Sequence, residues 1–303
     1  MSAAHVHSLL HVNLNCRDID AASAFYARLL GLELGMSTSG EPTSGASLGI
    51  DGLVTTLVRF QYDSRGPRAG AALELVEWRS PGPVGTPPQS GRHAGIAAVG
   101  YQVPSLDTVR RLLADPALAG PAALQHWPVR GIAGPLLRLR DPDGVVVEVA
   151  EEASLPGSRF SHLRLNVRDL AASVEWYSHL GLQARAATAL DAQRTANVQS
   201  LSPGADPSMS FELTAWTQPR THGRPIAPAN HLGFYRVALG VDDVIAARDQ
   251  LCRSWDGVPD PIWVELPGTR LGGVSVLFLR DPDGTIVELV QRPRSAMRGR
   301  PPG

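Results

Sequence analysis

The sequence predicts an α+β protein made of four βαβββ modules in tandem. Three observations carry that expectation. The phrase Leu139-Arg140-Asp141-Pro142-Asp143-Gly144, followed by Glu148, returns as Leu279-Arg280-Asp281-Pro282-Asp283-Gly284, followed by Glu288. An opening phrase, His11-Val12-Asn13-Leu14-Asn15-Cys16-Arg17-Asp18, recurs 151 residues later as His162-Leu163-Arg164-Leu165-Asn166-Val167-Arg168-Asp169. Within each module the apolar period changes from two to about 3.6 and back to two. Repeats of this length copy a whole supersecondary unit.

The elements follow in order. Leu10, Val12 and Leu14 alternate with His11, Asn13 and Asn15, which predicts a strand whose apolar face packs on a helix and whose polar face turns away. Asp18 then caps a helix carrying Phe25, Tyr26, Leu29 and Leu30 and ended by Gly31; Asp169, Trp176, Tyr177, Leu180 and Gly181 repeat the pattern. Three strands follow each helix. The last two are joined by Asp-Pro-Asp-Gly, which suits a type I turn. The repeat goes a level deeper: Leu73-Glu74-Leu75-Val76-Glu77-Trp78 matches Phe211-Glu212-Leu213-Thr214-Ala215-Trp216, and His93 and His231 lie fifteen residues beyond the two tryptophans. The expected halves are residues 1–152, with modules at about 7–80 and 92–151, and residues 160–291, with modules at about 160–217 and 230–291. Pro/Gly-rich loops separate the modules, and residues 292–303 are expected to form a disordered tail.

Composition narrows the function. At 303 residues, 43% apolar and net charge −1, the chain builds ordinary cores and has no electrostatic bias towards nucleic acid or an anionic membrane. It lacks a spanning apolar stretch and a signal-peptide pattern, so a cytoplasmic location is expected. The two cysteines, Cys16 and Cys252, are expected to be buried free thiols. Lysine is absent, which removes Schiff-base chemistry from consideration. No phosphate-binding glycine loop is present, so no nucleotide cofactor is expected. His5, His7, His126, His179 and His222 read as surface residues. Glu74, Glu148, Glu212 and Glu288 share one register in the closing strand of each module, and together with His11 and His162 they are the first candidates for a site.

On His162-Leu163-Arg164-Leu165-Asn166-Val167-Arg168-Asp169, on Trp176-Tyr177 with Leu180-Gly181-Leu182, and on the two Asp-Pro-Asp-Gly phrases with their glutamates, the chain resembles the vicinal oxygen chelate superfamily. That superfamily includes glyoxalase I, bleomycin-resistance proteins and extradiol dioxygenases. The resemblance covers nearly all of residues 7–291 and implies that paired modules curl into two open cups of mixed sheet with helices outside. It also implies that a metal, where present, is held by first-strand and last-strand positions. Those positions here are His11, Ala98, His162 and Arg236, and Glu74, Glu148, Glu212 and Glu288. If neighbouring modules pair, the cups contain His11, Glu74, Ala98 and Glu148, and His162, Glu212, Arg236 and Glu288. If outer pairs with outer and inner with inner, they contain His11, Glu74, Arg236 and Glu288, and Ala98, Glu148, His162 and Glu212. Either way one cup has Ala and the other Arg, and Glu148 always lies in the Ala cup, which makes it the first-ranked ligand.

The resemblance therefore implies a small-molecule enzyme with His11, Glu74, Glu148, His162, Glu212 and Glu288 as ligands of Fe(II), Mn, Zn, Ni or Co, and with Glu148, Glu74 and Arg236 as catalytic candidates. Glyoxalase, epimerase, lyase or oxygenase chemistry is expected. Ring cleavage ranks lower, because Arg236 stands where a second His would be expected. The alternative is a metal-free binding protein of the bleomycin-resistance type, with Asn13, Arg164, Arg236, Trp78 and Trp216 as ligand contacts and Tyr235 as a further wall. In that setting the Arg cup is either an internal ion-pair network or a grip on an anionic ligand. No partner beyond a small molecule is expected, and four modules complete two cups as a monomer or within a homodimer.

Overall fold

The computed structural model describes residues 6–297 apart from 117, 119, 192 and 194. The first module runs β1 (Ser8–Cys16), α1 (Ile19–Leu30), β2 (Glu33–Ser37), β3 (Thr43–Ser44), β4 (Leu53–Tyr62) and β5 (Ala72–Ser80). The second runs β6 (Gly95–Val103), α2 (Leu106–Leu112), β7 (Ala122–Val129), β8 (Ile132–Arg140) and β9 (Val146–Glu151). The third comprises β10 (Arg159–Asn166), α3 (Leu170–His179), β11 (Leu182–Ala189), β12 (Ala196–Pro203) and β13 (Ser210–Trp216). The fourth comprises β14 (Gly233–Val241), α4 (Val244–Leu251), β15 (Ile262–Leu266), β16 (Gly272–Arg280) and β17 (Ile286–Gln291). Local chemistry sets the helix ends. Asp18 accepts the backbone N–H groups of Asp20 and Ala21, and Gly31 closes α1 at φ 65, a conformation open to glycine without strain.

The modules pair outer with outer and inner with inner. One nine-stranded sheet has the order β15-β16-β17-β14-β1-β5-β4-β2, with β3 on β4. The other has eight strands in the order β11-β12-β13-β10-β6-β9-β8-β7. The joints are antiparallel, β1 on β14 and β10 on β6, while each module closes on itself by a parallel pair such as β1 on β5. Each cup thus takes one module from each half of the sequence. Each half is held together across the two cups: Tyr26 on α1 donates to Asp141 in the second module at 3.0 Å, and Tyr177 on α3 donates to Asp281 in the fourth at 3.1 Å.

One continuous core joins the helix-facing sides of both sheets, including Val12, Leu14, Leu73, Leu75, Val147, Leu163 and Leu289 with Tyr26 and Tyr177. Period-two alternation then aims the intervening polar residues into the cups. Leu10 departs from the expected alternation. A register shift between Leu9 and His11 puts Leu9 in the main core and sends Leu10 to a separate cluster with Ala238, Val276, Val290 and Met297.

Three further expectations need correction. His7 is fully buried rather than on the surface, with Nε2 at 3.0 Å from the Arg292 carbonyl. Cys252 is exposed, whereas Cys16 is buried as expected. Residues 292–297 are not a disordered tail: a 3-10 turn at Arg294–Ala296 leads to Met297, whose sulfur accepts a hydrogen bond from Ser8. The rest of that tail, and His5, lie outside the described residues. No helix among the described residues is long and apolar enough to cross a membrane.

Candidate functional site

The two cups start from equivalent positions and end as different environments. In the inner cup the parallel pairing of β6 with β9 and the antiparallel pairing of β6 with β10 bring Glu148 and His162 to either side of Gly100. Glu148 accepts Nε of Arg164 at 3.0 Å on each oxygen, Nη2 of Arg164 at 2.9 Å and Nε of Arg138 at 3.1 Å, and lies 2.9 Å from His162 Nε2. Burial alone would raise its pKa, but Arg164, the His162 hydrogen bond and Arg138 together hold it well below the usual carboxylate range. Both guanidiniums sit over the Trp127 ring, at 4.2 and 5.5 Å.

Glu212 is equally committed. It accepts from Ser200 and Ser210 hydroxyls at 2.6 Å each and from the Arg130 backbone N–H at 2.9 Å. Arg130, at the β7–β8 tip, has φ 55 and is the one non-glycine residue with positive φ among those described. Glu148, His162, Arg164 and Glu212 are 0, 0, 1 and 0% exposed, so all four are buried.

In the inner cup, then, the expected ligands Glu148, His162 and Glu212 and the expected ligand contact Arg164 meet side chains of the chain itself. A divalent ion there would face two guanidiniums and two carboxylates whose oxygens are already taken. Trp216, an expected ligand contact, packs its ring against Trp127 at 5.9 Å and donates from Nε1 to Asn166 at 2.9 Å. The missed residue is Arg138, and a signal for it existed. The Asp-Pro-Asp-Gly hairpin fixes the β8–β9 register, which places Arg138 directly opposite Glu148. In the outer cup the same register places Phe278 opposite Glu288.

The outer cup is open. Arg236 donates from Nε to Glu288 at 2.9 Å and from Nη2 to both oxygens of Glu74 at 3.2 Å. Burial would lower the guanidinium pKa, but the two carboxylates drive it above its ordinary value, and Glu288 is held below its own, burial notwithstanding, by Arg236 and His11. His11 Nε2 lies 3.4 Å from Glu74 and 3.7 Å from Glu288 without a hydrogen-bond partner, and its ring meets Phe60 edge-on at 5.3 Å. Asn13 donates to Glu74 at 3.1 Å. Beside this cluster lies a cavity of about 600 Å³, bounded by Asn13, Glu74, Arg236 and Glu288 and by the apolar surfaces of Val58, Val76, Trp78 and Phe278. Trp78 is held in that wall by its Nε1 bond to Asn15 at 3.0 Å. Tyr235 lines a neighbouring cavity of about 410 Å³ instead.

The structure thus brings together His11, Asn13, Glu74, Trp78, Arg236 and Glu288. It does not bring them together as a metal site. The Arg236 guanidinium holds the position between the two carboxylates, so a divalent ion placed there meets a fixed positive charge at close range. Among the described residues no group of three or more His, Cys, Asp or Glu side chains is arranged to hold a metal ion. The donor set therefore does not fit the expected metal, and its members are better described as a preassembled ion-pair network along one wall of a cavity.

The profile of the Glyoxalase/Bleomycin resistance protein/Dioxygenase superfamily matches residues 8–149 and 159–289. Among solved structures, glyoxalase I from Zea mays superposes with a TM-score of 0.68 at 18% identity, covering 95% of this chain and 92% of that one. A putative dioxygenase from Bacillus subtilis subsp. subtilis str. 168 superposes with a TM-score of 0.67 at 14% identity, covering 99% and 87%. At these identities the likeness is one of fold. No curated protein matches the chain.

Proposed function

Because the chain belongs to the Glyoxalase/Bleomycin resistance protein/Dioxygenase superfamily, we propose that it works as a metal-free small-molecule-binding protein whose site is the outer cup. The observation that carries this reading is the contrast between the cups: equivalent glutamates are sealed in one and border a cavity of about 600 Å³ in the other. A cavity of that size, with apolar walls and a few convergent polar groups, suits a drug-sized organic ligand. The Glu74–Arg236–Glu288 network supplies a rigid polar surface whose members are already oriented, so little side-chain order has to be created on binding.

A second reading is favoured by one specific observation. His11 Nε2 is buried between two carboxylates without a hydrogen-bond partner. In a cofactor-independent enzyme, Glu74, which lines the cavity, would take a proton from a bound substrate, with His11 behind it, and Arg236 would hold the resulting negative charge. Both readings use the same cup and neither routes a step through a metal.

The test is binding of the neutral dye Nile red to chelator-treated protein. One site per chain is expected, abolished by Thr56→Trp, which fills the cavity beside Trp78. Retention of a stoichiometric divalent ion through chelation, lost in Glu288→Gln, would overturn the metal-free reading.

A further inference from the structure

The cavity of the outer cup has two kinds of wall. One carries hydroxyls: Thr38, Thr43, Ser47 and Thr56 line it, and the hydroxyls of Thr43, Ser47 and Thr56 enter no hydrogen bond among the described residues. Each offers a ligand both a donor and an acceptor. The other carries Trp263, which stands at the rim with 60% of its surface exposed. Its indole lies close over Gly273, where an added β-carbon would be 2.5 Å from the ring, so one face is seated and the other is left to a ligand. The Ser39 N–H donates to the Pro267 carbonyl at 3.2 Å and ties the hydroxyl-bearing wall to the rim that carries Trp263.

A second, independent feature asks for a hydrogen-bond donor. Asn13 lines the cavity at 1% exposure, and its Oδ1 has no partner. Its orientation is fixed by the bond from Nδ2 to Glu74, because the flipped amide would set its oxygen against a carboxylate. At the mouth the exposed carboxylates of Glu41 and Glu265 are acceptors too.

Charge and polarity together narrow the ligand. An anion meets Glu41 and Glu265 at the entrance and finds Arg236 already shared between Glu74 and Glu288. A cation answers the acceptors and leaves the threonine and serine donors unused. A neutral hydroxyl answers both, because it donates one hydrogen bond and accepts two. A ring that carries hydroxyls around its edge and C–H bonds on its face also matches an indole held flat at a rim.

Resting on the outer-cup reading above, we propose that the ligand is a neutral saccharide. The C–H face of a pyranose ring lies on Trp263, and the hydroxyls meet Glu41 and Glu265 at the mouth and Asn13 Oδ1 and Thr56 within. The fixed amide and the tied rim mean that little of this surface has to be ordered on binding.

The test is saturation-transfer NMR on the full chain with glucose, galactose, mannose, maltose, cellobiose and lactose as neutral probes, and with glucosamine and glucuronate as charged counterparts of glucose. At least one neutral sugar is expected to bind with a dissociation constant on the order of millimolar. Trp263→Ala, at an exposed position, should weaken it at least about tenfold, and Thr56→Trp should abolish it. Glucosamine or glucuronate bound at least about tenfold more tightly than glucose would overturn the neutral ligand. Affinity indifferent to Trp263→Ala, or binding that survives Thr56→Trp, would overturn it as well. Binding of no neutral sugar while Nile red still occupies its site would overturn the saccharide and leave the cavity as a binding site, whereas loss of both would overturn both readings.

Discussion

Arg164 grips Glu148 with three hydrogen bonds, two from Nε at 3.0 Å and one from Nη2 at 2.9 Å, in a site where neither residue is more than 1% exposed. Such a pair is strong because water does not compete for it, and fragile because neither member tolerates the loss of the other. Arg138 and His162 complete the set around the same carboxylate. The inner cup is therefore a polar core, and its contribution is to the joint between the second and third modules.

Glu148→Gln is expected to destabilise the protein by about 3–5 kcal/mol, since it strands two guanidiniums in a buried site. Equilibrium denaturation in urea measures it, and a cycle with Arg164→Met separates the pair from the rest of the network. A loss below about 1 kcal/mol would be inconsistent with a saturated ion-pair core. The wild-type carboxylate is held well below its usual pKa, so its stabilising effect is present above pH 4.5 and is lost as pH falls through the folded value.

Arg236→Ala removes the cation from between Glu74 and Glu288 and leaves His11 facing two carboxylates. One imidazole with two carboxylates is an adequate donor set for zinc or cobalt. The variant is expected to take up Co(II) with an affinity on the order of micromolar, read from visible absorption, while the wild type does not. Identical titrations of the two proteins would show that the guanidinium does not hold the ion's place.

Gly100 has no room for a side chain: a β-carbon would lie 1.9 Å from His162 Cε1. Gly100→Ala must push the imidazole away from Glu148 or part β6 from β10. A loss of about 1–3 kcal/mol is expected, with thermal unfolding as the readout. An unchanged melting temperature would place slack where the packing shows none.

Asp141 supplies the pH dependence at neutrality. Burial pushes its carboxyl up to about 7, against backbone N–H groups and the Tyr26 hydroxyl that lower it. The folded state keeps a proton that the unfolded chain releases near pH 3.8, so this contribution is full below that value and is lost as pH rises through 7. Stability measured from pH 4.5 to 7.5 should decline by about 2–4 kcal/mol, and Asp141→Asn should flatten the decline. Parallel slopes for the two proteins would exclude Asp141 as its source.

Much of the fold was legible because its signals are local. Asp18, Asp169 and Asp243 cap helices through their own side chains, and Gly31 ends α1 through its own φ. The Asp-Pro-Asp-Gly turns close through a bond from the Gly144 or Gly284 N–H to the Asp141 or Asp281 carbonyl. Leu10 leaves the helix-facing side that its alternation predicts because the shift that displaces it is made with β14, more than two hundred residues away.

The sequence by itself determined the four modules, their caps and turns, and the set of inward polar positions, since each depends on residues a few places apart. It did not determine which modules pair, and so it could not say what each glutamate would meet. Only the tertiary structure placed Arg164 on Glu148, beside the Arg138 that the local hairpin register supplies, and Arg236 between Glu74 and Glu288. The physical reason is that a carboxylate's role is set by the charges within a few ångströms of it. In this chain those charges arrive from other strands, and for Glu74 from the opposite end of the sequence.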